Sequence, residues 1–252
     1  LGENHYIMTT TTGGAATVMG NLEDFLQTEW PELNVYLTSV TDHFATVSVC
    51  GPHSKKILEK VTQNIDYSDT NFPHMSFKNG SIDKINCRVM RISFTGELSY
   101  EINVQANYGQ SVWEKCMSVG KEYGITPYGT EAMHLLRAEK GFIIVGQETD
   151  GTVTPVDLQM DWIVSKKKYD FIGKRSLYRS DTIREDRKQY VGLLTKDPKE
   201  ILEEGAQIVA KVKNKPPMDM IGHVTSSYYS PNLNKSIALA VVKNGKQLKS
   251  HR

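Results

Sequence analysis

The stretch CRVMRISFTGELSYEINV, residues 87–104, decides the fold of this chain. Two runs rich in β-forming residues flank a Thr-Gly-Glu turn, which predicts a β-hairpin. On the second strand, Tyr100, Ile102 and Val104 alternate with polar residues. Because successive side chains of a strand point to opposite faces, this alternation puts Glu101 on the face opposite the apolar set.

The chain before the hairpin predicts two units of a strand followed by a helix. Residues 5–11 are rich in β-formers, and apolar residues then recur at helical spacing over 18–30. The second strand spans 44–50, and a Gly-Pro pair after it opens a helix whose apolar stripe lies within 57–61. Residues 66–85 are polar and irregular, which predicts a surface loop.

Helices are predicted after the hairpin and give way to strands near the C-terminus. The two helices cover 109–122 and 130–141, and Thr130 is the expected N-cap of the second. Beyond Lys188 the pattern changes to short β-rich runs separated by turn residues, at 190–195, 206–213, 220–229 and 236–243. This spacing is typical of a small antiparallel barrel or sandwich.

The fold class is therefore expected to be α+β, followed by a small antiparallel β-barrel domain. We predict one domain at 1–183 and a second at 184–252, with the boundary in the charged stretch before Lys188. The chain does not start with methionine and begins directly before a predicted strand, so we expect a piece of a longer polypeptide.

Composition excludes several classes of partner. Lys and Arg total 30 against 29 for Asp and Glu, so a net charge of +1 gives no reason to expect nucleic acid or an anionic membrane. The three cysteines lie far apart, which argues against disulfides and thiolate zinc sites. No apolar run approaches the roughly 20 residues of a membrane-spanning helix. We expect a soluble, cytoplasmic protein.

Common catalytic and nucleotide motifs are missing from the sequence. No Gly-x-Gly-x-x-Gly or Walker pattern follows a predicted strand, and no Gly-x-Ser-x-Gly or His-Glu-x-x-His segment occurs. The seven histidines are scattered without metal-ligand spacing. Nucleotide binding, serine hydrolysis and metal catalysis are therefore not expected, and the residues alone leave the catalytic group unknown.

The hairpin supplies the most specific signal. Its segment RISFTGELSYE, residues 91–101, resembles the arginine, aromatic, Thr-Gly-Glu and distal glutamate pattern of the glycine-cleavage T-protein family, a set of tetrahydrofolate-dependent aminomethyltransferases. Further segments that resemble this family are Gly51-Pro52, Leu136 to Gly141, Thr154-Pro155-Val156, Phe171 to Lys174 and Ser230 to Leu233. The resemblance implies the aminomethyltransferase fold, truncated at its N-terminal lobe.

Three other segments resemble one branch of this superfamily more closely. Residues 8–16, 27–33 and 131–134 are similar to the C-terminal part of the α subunit in the heterotetrameric sarcosine oxidases. In that branch a flavin in another subunit oxidises an N-methyl amine to an imine, and tetrahydrofolate captures the one-carbon unit as methylenetetrahydrofolate. The resemblance implies tetrahydrofolate as the ligand and the flavin-bearing subunits as partners. Flavin and NAD are expected only in other parts or subunits of the full enzyme.

The resemblance also implies two ligand contacts near the hairpin. Glu101 matches the glutamate that grips the pterin in this family, and a carboxylate is suited to accept two parallel N–H bonds from a 2-amino pyrimidinone edge. Phe94 stands where T-proteins carry tyrosine, so the aromatic contact is retained without the phenol.

Three further positions carry weaker implications. Thr9 and Thr10 lie where T-proteins have an asparagine near the pterin, and are expected to line the site. Arg137 matches the family's helix as a ligand contact, with a structural ion pair as the alternative. Met133 and His134 replace the family's arginine-aspartate pair, which makes a lipoyl-protein partner less expected.

Three hypotheses of function remain open from the sequence. The first is the folate-binding part of a multi-subunit sarcosine oxidase. The second is a free-standing aminomethyltransferase or demethylase, and the third is a non-catalytic folate-binding module. Flavin-binding sequence in the same reading frame would favour the first hypothesis.

Overall fold

The computed structural model describes residues 1–250, with the side chains of residues 1–248. It divides into two compact units. Unit 1 consists of residues 1–93 and 98–126, and unit 2 consists of residues 94–97 and the chain from Pro127 onward. No helix within the described residues is both long and apolar enough to cross a membrane.

Unit 1 is built on a four-stranded antiparallel sheet with three α-helices. Its elements are α1 (Ala15–Thr28), β1 (Phe44–Cys50), α2 (Ser54–Val61), β2 (Phe77–Ile82), β3 (Ile85–Met90), β4 (Ser99–Gln105) and α3 (Gly109–Gly120). The strand order is β1-β4-β3-β2. Strands β3 and β4 pair antiparallel, with Val89 opposite Ile102, so the predicted hairpin is confirmed.

The core of unit 1 lies on one face of this sheet. Tyr100, Ile102 and Val104 are at most 1% exposed, and they belong to one cluster with Leu58 of α2 and Val112 of α3. The predicted alternation on β4 is therefore confirmed. Since the helices cover this apolar face, the polar residues of the strands are collected on the other face.

Three local predictions were wrong. Residues 5–11 form no strand, because the pairing near them is a single bridge between Gly2 and His5 and no neighbouring strand supplies a ladder. The region 66–85 contains β2, whose sequence has no apolar alternation and which forms by pairing with β3. The N-cap of the helix at 130 is Gly129, with no side-chain cap, instead of Thr130.

Unit 2 contains one α-helix and a second four-stranded antiparallel sheet. Its elements are α4 (Thr130–Glu139), β5 (Lys188–Leu194), β6 (Gln207–Val209), β7 (Met220–Ser230) and β8 (Lys235–Lys243), with strand order β5-β8-β7-β6. All four strands were predicted. Ala138 of α4 packs in one cluster with Tyr190, Ile237 and Leu239 of the sheet. The α+β fold class is confirmed.

Candidate functional site

The face of the unit 1 sheet opposite the core carries the polar side chains of β4, and we call it the polar face. On β4 it presents Ser99, Glu101 and Asn103. The strand register places Ser48 of β1 on one side of Glu101 and Met90 of β3 on the other. Glu101 is therefore in the middle of the sheet, with a strand on each side fixing its backbone.

The Glu101 carboxylate is half-buried and unpaired. No side chain among residues 1–248 donates a hydrogen bond or forms an ion pair with it. Burial raises the pKa of Glu101 above the ordinary value of a glutamate. A carboxylate that is partly removed from water without donors of its own is suited to accept hydrogen bonds from a bound ligand.

The neutral neighbours of Glu101 satisfy each other. Asn103 donates its amide N–H to Thr46 Oγ1 at 3.1 Å, and the hydroxyls of Ser48 and Ser99 lie 3.4 Å apart. These pairs join β1 to β4 across the polar face. None of these four side chains donates to Glu101, so they leave its acceptor capacity unused.

Phe94 belongs to unit 2, in the loop segment 94–97 of the connection between β3 and β4. The residue is 41% exposed, and the centre of its ring lies 6.5 Å from that of the His134 ring. The same loop is attached to the end of α4, because Lys140 Nζ lies 2.9 Å from Glu97 Oε1. Gly96 has φ +79° and packs against the Lys140 side chain, where an added Cβ would be 2.7 Å from Lys140 Cγ.

Thr9 and Thr10 lie in unit 1, in the extended segment before α1. Both are exposed, and Thr10 Oγ1 donates to the carbonyl of Thr11 at 3.1 Å. Neither side chain contributes to the apolar core of unit 1.

Arg137 is fully buried within unit 2. Its Nη1 lies 3.0 Å from Glu148 Oε2 and donates to the carbonyl of Phe142, and its Nη2 donates to Ser226 Oγ at 2.7 Å. Ser226 Oγ in turn donates to Glu148 Oε1. The Nε atom is buried without a hydrogen-bond partner. These contacts correspond to the structural ion pair that the sequence left as the alternative.

The sequence-predicted residues divide between the units. Glu101, Thr9 and Thr10 lie in unit 1, whereas Phe94 and Arg137 lie in unit 2. Sequence reasoning missed Arg88, which is the second charged residue of the polar face. Its position between the core residues Cys87 and Val89 would have revealed it, since period-two alternation places it with Glu101.

The antiparallel sheet with helices on one face, followed by a second antiparallel sheet, is an aminomethyltransferase fold, as a match to a solved aminomethyltransferase shows. A solved structure with the same fold is the glycine cleavage system aminomethyltransferase T from Bartonella henselae. The TM-score is 0.71 at 21% sequence identity, and the match covers 92% of this chain and 58% of that one. At this identity the match supports the fold alone.

Two family models match the sequence. The GCVT N-terminal domain matches residues 1–168, and the glycine cleavage T-protein C-terminal barrel domain matches residues 188–251. The chain belongs to the glycine cleavage T-protein family.

Relatives within this family are sarcosine oxidase α subunits. The chain is 53% identical over 249 residues to the subunit from Corynebacterium sp. (strain P-1), and 42% identical over 248 residues to that of Rhizobium meliloti (strain 1021). Each match covers 98% of this chain but only 26% and 25% of the relatives. The chain therefore spans about a quarter of their length.

Proposed function

We propose that this chain is the tetrahydrofolate-binding part of a sarcosine oxidase α subunit. In this role it captures the one-carbon unit from oxidative demethylation of sarcosine as 5,10-methylenetetrahydrofolate. The observation that carries the proposal is the unpaired, half-buried carboxylate of Glu101 at the centre of the polar face. The identity of 53% to a sarcosine oxidase α subunit supports the choice within the family.

The residues around Glu101 fit a pterin ring. Tetrahydrofolate, when bound, supplies the nucleophilic nitrogens that accept a one-carbon unit. Its 2-amino pyrimidinone edge carries two parallel N–H donors, and an ionised carboxylate has two acceptor oxygens at the matching separation. Glu101 would hold and orient this edge, because the hydroxyl and amide groups beside it bond to each other and not to its carboxylate.

The other predicted residues take supporting roles in this proposal. Thr9 and Thr10 of unit 1 offer exposed hydroxyls to the ligand, whereas contact between Phe94 and the ligand stays a prediction from the sequence resemblance. Arg137 stabilises unit 2 through its buried pair with Glu148. Direct contact between Arg137 and folate stays a prediction from the sequence resemblance.

The proposal divides the work between different parts of the enzyme. Flavin and NAD bind outside this chain, in other parts of the α subunit or in partner subunits, and the flavin oxidises sarcosine there. The whole assembly works in the cytoplasm. This chain receives the one-carbon unit and has no oxidative role of its own.

Calorimetric titration of 5-formyltetrahydrofolate into the 252-residue chain tests the proposal. Glu101→Gln keeps the size of the side chain and removes its charge. Loss of hydrogen bonds to a charged group costs about 1.5–3 kcal/mol, which corresponds to roughly 10- to 100-fold weaker binding. Glu97→Gln is the matched control, because this glutamate lies in the adjacent loop and is paired with Lys140.

Equal affinity of the wild-type chain and Glu101→Gln would reject the Glu101 assignment. The transfer step is tested separately in the assembled oxidase turning over sarcosine with tetrahydrofolate. Glu101→Gln should shift the product from methylenetetrahydrofolate to formaldehyde without changing the rate of sarcosine oxidation. An unchanged product ratio, together with weakened folate binding, would indicate a non-catalytic folate-binding module.

A further inference from the structure

Arg88 is the second charged residue of the polar face, and its charge is not neutralised. It lies on β3 directly opposite Asn103 of β4, while Met90, two residues further, lies opposite Glu101. Arg88 is thus diagonal to Glu101 on the same face, and such diagonal positions are about 7–8 Å apart. No ion pair within residues 1–248 includes either Arg88 or Glu101.

The Arg88 guanidinium is held in place without acceptors. Its Nε and Nη1 atoms are buried and have no hydrogen-bond partner. The guanidinium carbon lies 5.6 Å from the centre of the Phe77 ring on β2, so a cation–π contact fixes its orientation. Buried donors without acceptors cost free energy, so this arrangement of Arg88 lowers the stability of the unliganded fold.

None of the polar side chains beside Arg88 accepts a hydrogen bond from its Nε or Nη1 atom. Its direct neighbours across the strands are Asn79 of β2 and Asn103 of β4, and Asn103 donates its amide N–H to Thr46 Oγ1. The acidic residue of this face, Glu101, forms no pair with Arg88. The face therefore presents one anion and one cation, each free for a group that comes from outside these residues.

We propose that Arg88 binds a carboxylate of the ligand that lies on the polar face. A guanidinium presents its N–H donors in a planar fork that matches a carboxylate, and here Phe77 holds the fork ready. The carboxylate comes from either the glutamate tail of a folate or the amino acid that carries the one-carbon unit to it. This inference deepens the proposed function and rests on it for the ring that Glu101 holds.

Three small probes distinguish the contribution of Arg88 from that of Glu101. They also distinguish the folate tail from the amino acid as the source of the carboxylate. 6-Methyltetrahydropterin carries the donor edge and no carboxylate, 4-aminobenzoyl-L-glutamate carries the tail carboxylates, and sarcosine carries the amino-acid carboxylate. Each is titrated into the full chain by ligand-observed NMR, the two carboxylates both alone and with saturating 6-methyltetrahydropterin. The variants are Arg88→Gln and Glu101→Gln.

Arg88→Gln should weaken binding of one carboxylate probe at least 10-fold and leave 6-methyltetrahydropterin unchanged, whereas Glu101→Gln should do the reverse. Loss of the glutamate probe identifies the folate tail, and loss of sarcosine identifies the amino acid. The proposal is overturned if neither carboxylate probe binds the wild-type chain, or if both bind Arg88→Gln equally well. Failure of the pterin probe with the wild-type chain would reject the proposed function without affecting the carboxylate result.

Two further variants exclude a purely structural role. Arg88→Lys keeps the charge and should restore part of the lost carboxylate affinity. Arg88→Met removes the unsatisfied donors, so its melting temperature without ligand should equal or exceed that of the wild-type chain. A lower melting temperature for Arg88→Met, with no change in carboxylate affinity, would mean that Arg88 serves the fold.

Discussion

The guanidinium of Arg137 and the carboxylate of Glu148 form an ion pair of 3.0 Å in which neither side chain is exposed. Glu148 also accepts from the backbone N–H of Ile144 at 2.6 Å. Ser226 bonds to both members of the pair. Three parts of unit 2 are thus joined at one buried point: the helix α4, the loop after it and the strand β7, which is far from both in sequence.

Removing one member of this pair should destabilise the chain strongly. Glu148→Ala leaves the buried Arg137 charge uncompensated, and breaking a buried pair in this way costs about 3–5 kcal/mol. Urea denaturation of the variant and the wild-type chain measures the difference. Lys140→Ala, which breaks the exposed pair with Glu97, is the control and should cost less than about 1 kcal/mol. A loss for Glu148→Ala as small as that of the control would contradict the prediction.

Glu101→Gln should stabilise the unliganded chain at neutral pH while it weakens folate binding. Burial raises the pKa of Glu101, so the folded state takes up a proton more readily than the unfolded state. Stability from this group is present below the unfolded pKa of about 4.3 and is lost as pH rises through the higher folded value. The free energy of unfolding of Glu101→Gln should exceed that of the wild-type chain at pH 7 and converge with it near pH 4. A variant that is less stable at pH 7 would show that the carboxylate has a structural partner.

Asp157 should give the opposite pH dependence. Its burial opposes ionisation, but hydrogen bonds from Arg187, the shortest of them 2.7 Å from Nη2 to Oδ2, and from Thr154 outweigh this, so the pKa of Asp157 is lowered. Its contribution is therefore present above the unfolded pKa of about 3.9 and is lost as pH falls through the lowered folded value.

The corresponding variant is Asp157→Asn. It should lose about 3 kcal/mol at pH 7, because Arg187 is left without its buried partner. The difference from the wild-type chain should shrink below about pH 4, which thermal unfolding across a pH series would measure. A constant difference across the series would indicate that hydrogen-bond geometry, and not charge, accounts for the loss.

Two strand glycines of unit 2 should respond differently to alanine. A Cβ on Gly222 of β7 would lie 2.3 Å from the carbonyl oxygen of Val241, a backbone atom of β8 that cannot move aside. Gly222→Ala should therefore cost about 1–3 kcal/mol by overpacking. Gly192 of β5 has no atom within 4 Å of that position, so Gly192→Ala should be neutral or slightly stabilising. Equal midpoints in urea for the two variants would contradict this expectation.

The sequence predicted the parts of the fold that are governed by local patterns. Alternation identified β4, with Tyr100 and Ile102 inward and Glu101 outward, and the β1 boundaries at Phe44 and Cys50 were correct. These patterns succeed because one face of each strand must meet the helices. The strand expected at 5–11 failed since β-propensity alone does not supply a partner strand.

Only part of the candidate site could be predicted from the sequence. The position of Glu101 on the polar face follows from period two, but its lack of partners depends on which neighbours pair with each other. Arg137 and Ser226 are 89 positions apart in sequence, and no spacing rule connects them. The domain boundary at 183/184 stays a prediction. The compact units instead change at residue 126, and the family models leave 169–187 unmatched.

The path of the chain through the hairpin loop has a consequence for genetics. Residues 94–97 belong to unit 2, although the chain on either side of them belongs to unit 1. From Pro127 onward the chain belongs to unit 2. No single cut in the gene can therefore release either unit whole. During synthesis, Phe94 to Glu97 emerge from the ribosome before β4 and well before α4. The ion pair between Glu97 and Lys140, at the end of α4, can form only after that helix has been made.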